Sequence, residues 1–110
     1  MKLYIAGKIT GDPHYRRKFA AIKQVLKSEG HTVLNPAVLP EGLLPADYMR
    51  ICFAMIDIAD AVIFLPDYSL SGGAKLEYEY SHYVRKLIFF LEGTTEWAKA
   101  RKYIEREATQ

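Results

Sequence analysis

Short apolar runs alternate with longer amphipathic stretches along almost the whole chain, and this alternation restricts the fold more than any single motif does. Residues 2–6 (KLYIA) form an apolar run stopped by Gly7. Residues 14–29 then place Phe19, Ile22, Val25 and Leu26 on one helical face, closed by Gly30. The run Thr32–Leu34 reads as a second strand ended by Asn35-Pro36, and a loop carrying Pro36, Pro40 and Pro45 leads to a helix over about 46–58. Residues 61–65 (AVIFL) are continuously apolar, as a strand buried on both faces requires. After the loop PDYSLSGG the spacing predicts a helix over about 74–84, a strand over 87–91 (LIFFL) and a last helix opening near Thr94 or Thr95. Such an order predicts an α/β protein of one domain, residues 1–110. Its parallel four-stranded sheet, of flavodoxin- or Rossmann-like type, would be covered by helices on both faces as a three-layer α/β/α sandwich.

Composition narrows the function classes. At 110 residues the chain can bury one core without staples, and its single cysteine, Cys52, excludes an internal disulfide and a cysteine-based zinc site. His14, His31 and His82 fall on three segments with no ligand spacing among them, so neither a metal nor a cofactor is expected. No apolar run approaches the roughly 20 residues of a membrane span, and no secretory h-region follows Met1. Fifteen basic against 13 acidic side chains give a net charge of only +2. A cytoplasmic protein is expected, with neither membrane nor long nucleic acid as partner.

Ligands of parallel α/β sheets sit beyond the carboxyl ends of the strands. That rule selects the segments AGKITGD, NPAVLPEG and PDYSLSGGAKLE, which hold Gly7, Gly11, Gly42, Gly72 and Gly73, five of the seven glycines. In SGGAKLE, Ser71 can cap a helix, the two glycines let a ligand approach free N–H groups, and Glu77 falls about one turn inside with its side chain leaning back toward the site. The helix dipole favours keeping Glu77 ionised, which suits attack on an electron-poor anomeric carbon; a first-turn glutamate that only stabilises its helix explains the spacing equally well. Asp60 stands between a helix end and a buried strand, where an acid needs either solvent or a compensating role, and Asp57 shares its helix face. If Asp60 approaches Glu77, one proton shared between them supplies an acid beside a base.

Tyr4 is the polar-tipped residue of KLYIA: a core tyrosine, or a hydroxyl reaching a carboxylate. Lys8, Thr10 and Gly11 make a donor-rich loop suited to a phosphate, or a plain surface loop, without the P-loop pattern. Arg16, Arg17 and Lys18 are either solvated or near an anion, and Cys52, among Ile51, Phe53 and Met55, reads as core packing. Eight tyrosines are many for a plain core; the segment reading puts Tyr4 and Tyr68 at the mouth of the proposed site and Tyr48, Tyr78, Tyr80 and Tyr83 on neighbouring helices, where a base could stack or a subunit could dock.

Taken in order, YIAGKITG, the NP after the second strand, the YM opening the second helix, DIADAVIFLP and SLSGGAKLE resemble the nucleoside 2-deoxyribosyltransferase-like superfamily, over residues 2–85. They are most similar to its short, often phage- or prophage-borne branch, related to the deoxynucleoside 5'-monophosphate N-glycosidases. The resemblance implies cleavage of an N-glycosidic bond of a nucleoside or nucleoside 5'-monophosphate, by hydrolysis or transfer. It implies Glu77 as nucleophile, Tyr4 as its hydrogen-bond donor and Asp60 as the residue that contacts the nucleoside and assists the departing base. Gly7, Lys8 and Ile9 match the first substrate loop, with Lys8 standing where that branch commonly carries proline. Ser71 and Gly73 match the loop that holds a 5'-phosphate, and Asp57 and Tyr68 are added as substrate-binding candidates. Relatives complete the site from a neighbouring subunit, so a homodimer is expected. A non-catalytic module that binds or sequesters a nucleotide is the alternative.

Overall fold

The computed structural model describes residues 1–91; the helix expected near Thr94 or Thr95 lies outside them. Four strands, β1 (Lys2–Ala6), β2 (Thr32–Leu34), β3 (Ala61–Phe64) and β4 (Leu87–Phe90), pair in the order β2-β1-β3-β4. Every pairing is parallel, with Tyr4 opposite Leu34 on one side and Val62 on the other. Helices α1 (Tyr15–Ser28), α2 (Pro45–Ile58) and α3 (Gly72–Tyr83) make the crossovers, and short 3-10 turns occupy Pro36–Val38 and Tyr68–Leu70. This is the flavodoxin-like strand order, in an α/β/α sandwich.

Both faces of the sheet are buried, and period-2 alternation divides the side chains of β1 between them. Leu3 and Ile5 join Phe19 and Leu26 of α1, with Ala61 and Ile63 of β3. Tyr4 and Ala6 join Cys52 and Ile56 of α2, with Val62 and Phe64. The expected boundaries hold to about a residue except at α3, which begins at Gly72 rather than near 74. Ser71 caps it by accepting a hydrogen bond from the Ala74 N–H at 3.2 Å, so Gly72 and Gly73 are the first helical residues instead of a loop. At its other end Arg85 takes the left-handed conformation (φ 62°) and the Lys86 N–H donates to the Ser81 carbonyl at 2.9 Å, which turns the chain into β4.

The topology fixes where a ligand can enter. The chain leaves β1 for β2 on one side and later places β3 on the other, so the connections diverge and open a crevice at the carboxyl ends of β1 and β3. Gly7 lies at its base, where the Leu65 N–H donates to the Ala6 carbonyl at 2.8 Å and the two strand exits run together. A Cβ on Gly7 would meet Leu65 Cδ1 at 2.8 Å and Asp67 Oδ1 at 3.1 Å, whereas one on Gly72 would meet nothing within 4 Å. Gly7→Ala is therefore expected to lower stability by about 1–3 kcal/mol through overpacking. Gly72→Ala should raise it by about 0.5–1 kcal/mol, because it removes unfolded-chain entropy without a clash. Urea unfolding of the two variants beside the parent measures both signs.

Candidate active site

A cavity of about 790 Å³ occupies this crevice, within the roughly 300–1,000 Å³ usual for small-molecule sites. The segment after β1 supplies Gly7, Ile9 and Asp12, the start of α2 supplies Tyr48, Met49 and Cys52, and the start of α3 supplies Ser71, Gly73 and Glu77. Gly73 is close-packed as well: a Cβ there would meet Met49 Cε at 3.1 Å.

Glu77 lines this cavity yet is only 6% exposed. The Tyr4 hydroxyl, itself fully buried, donates to Glu77 Oε1 at 2.9 Å. Burial pushes the Glu77 carboxyl up to about 7; hydrogen bonds from Tyr4 and Cys52 oppose that shift without cancelling it. The helix dipole, which favours the ionised form, does not offset this burial. Glu77 is the sixth residue of α3, and the dipole fades beyond the first turn. Burial and then the neighbouring Glu77 charge raise Tyr4 well above the ordinary phenol range and Cys52 to about 11. Both remain protonated donors around one carboxylate, an arrangement suited to a carboxylate nucleophile or base with Cys52 acting as a thiol.

The structure separates the other sequence candidates into two groups. Gly7, Ile9, Ser71 and Gly73 line the cavity with Glu77, and Tyr4 sits behind it. Asp60, Asp57, Tyr68 and Lys8 are not among the lining residues. The Asp60 carboxylate accepts the Lys2 N–H at 2.7 Å, and Asp57 Oδ1 accepts the Tyr80 hydroxyl at 2.5 Å. Both acids follow from chain direction: α2 runs antiparallel to the strands, so its end and the start of β3 lie at the amino edge of the sheet, opposite the cavity. The sharing of a proton between Asp60 and Glu77 has no geometric basis here. Tyr68 packs instead with Phe64, Tyr78 and Phe90 in an aromatic cluster. Tyr48 does reach the cavity, held by its hydroxyl, which donates to the Pro40 carbonyl at 2.6 Å.

Lys8 contributes through its backbone. Its N–H donates to Asp67 Oδ1 at 3.0 Å, and its carbonyl accepts from Lys18 Nζ at 2.9 Å. Lys18 also bonds Asp12 Oδ2 at 2.6 Å and Asp67 Oδ2, so one ammonium ties the first cavity loop to the exit of β3. Burial alone would lower the Lys18 pKa, but the two carboxylates outweigh it and leave the group raised and charged. Tyr48, which the sequence sets beside the site, lines it together with Met49, and Cys52, which reads as core packing, is the lining residue that periodicity misses. The available signal is that any helix following a parallel strand begins at the ligand end, so the N-terminal half of α2, as far as its eighth residue Cys52, borders the site even where its stripe reads as core. Among the described residues, no three His, Cys, Asp or Glu side chains gather as a metal site, and no helix is long and apolar enough to cross a membrane.

Two predictions concern stability. Glu77 has a higher pKa folded than its ordinary 4.5, so the folded state binds the extra proton between about pH 4.5 and 7 and stability is lost as pH rises through that window. Glu77→Gln removes this dependence, and its stability relative to the parent should improve by about 2–3 kcal/mol between pH 5 and pH 8; urea unfolding at both pH values measures the difference. Lys18→Met should destabilise by about 1–2 kcal/mol, through lost charge-assisted hydrogen bonds. Lys18→Arg should recover part of that loss in the same assay.

Comparison with known proteins places the fold. The sequence profile of the family described as a domain of unknown function, DUF4406, matches residues 1–90. No curated protein sequence matches the chain. Among solved structures, a 2-deoxyribosyltransferase from the psychrotolerant bacterium Bacillus psychrosaccharolyticus superposes with a TM-score of 0.65 at 22% identity, over 82% of this chain and 71% of that one. A 2-deoxyribosyltransferase from Leishmania mexicana superposes with a TM-score of 0.67 at 18% identity, over 82% of this chain and 63% of that one. At these identities the likeness is one of fold, and this chain spans less than two-thirds of the second protein. With the profile covering residues 1–90 and the sheet shared with these two structures, the chain belongs to the DUF4406 family and has the nucleoside 2-deoxyribosyltransferase-like fold.

Proposed function

We propose that this protein cleaves the N-glycosidic bond of a nucleoside or nucleoside 5'-monophosphate, by hydrolysis or by transfer to a second base, with Glu77 as the nucleophile. The observation that carries this reading is the buried Tyr4 hydroxyl donating to Glu77 Oε1 at 2.9 Å in the wall of a nucleoside-sized cavity. The fold shared with two 2-deoxyribosyltransferases supports it. A carboxylate oxygen of Glu77 attacks C1' as the bond to the base breaks through an oxocarbenium-like transition state. Water or a second base then attacks C1' of the glycosyl ester and releases the carboxylate. Donation from Tyr4 stabilises the carboxylate as the leaving group of that second step. Gly7 and Gly73 let the cavity wall close-pack on Leu65 and Met49, and Ser71 fixes the helix start beside it. A homodimer closing the open side of the cavity belongs to the same reading, and analytical ultracentrifugation tests it.

Only the carboxylate form attacks, and burial holds Glu77 at about 7, so kcat/KM should rise with pH through an apparent pKa near 7. Tyr4→Phe removes a donor to the charged form. It should move that limb to higher pH and lower kcat/KM by about 10–100-fold. Glu77→Gln should abolish base release from a panel of nucleosides and their monophosphates followed by liquid chromatography, and intact-protein mass spectrometry should detect a glycosyl adduct on the parent alone. A nucleotide that raises the melting temperature and remains intact for hours would favour the non-catalytic binding module instead.

A further inference from the structure

We infer, resting on the nucleoside reading of this cavity, that Tyr48 is its base-binding residue: a ring fixed in the wall on which the base of the substrate stacks, whichever base that is. Two observations lead there, the way the ring is held and its place relative to Glu77.

A tyrosine in a cavity wall ordinarily offers a ligand its hydroxyl as well as its ring. The Tyr48 hydroxyl is already engaged on the protein side: it donates to the Pro40 carbonyl at 2.6 Å and accepts the Leu43 N–H at 3.3 Å. Both partners lie in the loop that leads into α2, which Gly42 turns with a φ of 92°. The ring is thus held at both ends, by the helix at its Cα and by the loop at its tip, and it lines the cavity between them. Such a ring has little rotamer freedom left to lose when a ligand binds, and that lowers the cost of binding. Tyr15, the other aromatic residue among the described lining, is differently placed. The Arg16 guanidinium lies over its ring, 5.4 Å from the centroid, and Arg16 Nε donates to its hydroxyl at 2.9 Å. One face of Tyr15 is therefore taken by the protein itself.

Helix geometry sets the distance to the nucleophile. Tyr48 precedes Cys52 by four residues on α2, so the two side chains stand one above the other, about 6 Å apart along the axis. Both line the cavity, and the Cys52 thiol hydrogen-bonds the Glu77 carboxylate. Tyr48 therefore stands one helical turn from Glu77, toward the mouth, because α2 begins at the ligand end. With C1' at Glu77, a base joined to it by one bond covers that distance. On α3 the residue one turn before Glu77 is Gly73, with Ser71 just ahead of it, a small and polar surface suited to the sugar. From Glu77 the wall is thus aromatic in one direction and polar in the other, as the two parts of a nucleoside require. With its hydroxyl spent on the loop, Tyr48 reads a flat face and not a hydrogen-bonding edge, and stacking is open to every base. Its loss should weaken purines and pyrimidines alike.

The test uses the full chain carrying Glu77→Gln, which keeps ligands intact, titrated by calorimetry with 2'-deoxyadenosine, 2'-deoxyguanosine, 2'-deoxycytidine, thymidine and their 5'-monophosphates. For every compound that binds, adding Tyr48→Leu should raise Kd by about tenfold or more, and Tyr48→Phe, which keeps the ring, by no more than about threefold. With Glu77 restored, Tyr48→Leu should raise KM and leave kcat within about twofold, because stacking holds the bound substrate and the transition state alike; a merely structural residue would lower kcat. Nuclear Overhauser contacts between base protons and the Tyr48 ring provide a readout that needs no Tyr48 variant. A Kd within twofold of the parent in Tyr48→Leu, a Tyr48→Phe as weak as Tyr48→Leu, or base contacts to other rings alone overturns the inference and leaves Glu77 as the nucleophile. Weakening in Tyr48→Leu without any Glu77-dependent cleavage upholds the platform and overturns the glycosidic reading. Binding of none of these compounds overturns both.

Discussion

Parallel pairing of β1 with β2 on one side and β3 on the other buries both faces of a five-residue strand, and consecutive side chains must enter different cores. Leu3 and Ile5 take the face under α1, which is apolar throughout; Tyr4 takes the face under α2 and α3. A phenol cannot be buried there without an acceptor, and a carboxylate cannot be buried without a donor. Glu77, arriving on α3 after a glycine-led first turn, satisfies the first need, and Tyr4 satisfies the second. Neither residue is comfortable alone in this interior. Their contact therefore links the central strand to α3 and fixes a buried polar pair at the edge of the cavity.

The two ends of the sheet divide the remaining polar residues between structure and ligand. At the amino edge, Asp60 holds the Lys2 N–H, while Lys86 Nζ donates to the carbonyls of Asp57 and Ala59 at 2.9 and 2.7 Å, closing the negative end of α2. Tyr80, stacked on Phe53 with ring centroids 4.3 Å apart, donates to the Asp57 carboxylate in the same cluster. At the carboxyl edge, Lys18 gathers Asp12, Asp67 and the Lys8 carbonyl and holds the first loop against the exit of β3. Charges at the amino edge thus close crossovers, and those at the carboxyl edge shape a wall.

Strands and helices were legible because their signals are local: period 2 in KLYIA, the stripe of Phe19, Ile22 and Leu26, and the unbroken run AVIFL. The start of α3 was misjudged by two residues because Gly72 and Gly73 suggest a loop by propensity, while the Ser71 cap and packing against Met49 carry the helix through them. Tyr4 and Glu77, 73 residues apart, could be paired only through the family resemblance, since no local pattern records a contact of that range. Asp60 shows the opposite failure. Its motif is plain in the sequence, but the direction of α2 takes it away from the cavity. Cys52 was hidden because one apolar stripe of α2 serves two purposes, with Ile56 in the core and Cys52 one turn earlier beside the ligand space.

Burial of Glu77 sets the price of this arrangement in stability and its value in chemistry. Holding the carboxyl at about 7 makes Glu77 more basic than a solvated glutamate and places its change of charge near neutral pH. A positive charge a few ångströms from a carboxylate favours its charged form. A cationic group entering the cavity would therefore favour the ionised form of Glu77. A phosphate dianion placed there would shift the equilibrium toward the protonated acid. The same burial that weakens the empty protein thus makes the charge of Glu77 depend on the sign of whatever stands beside it.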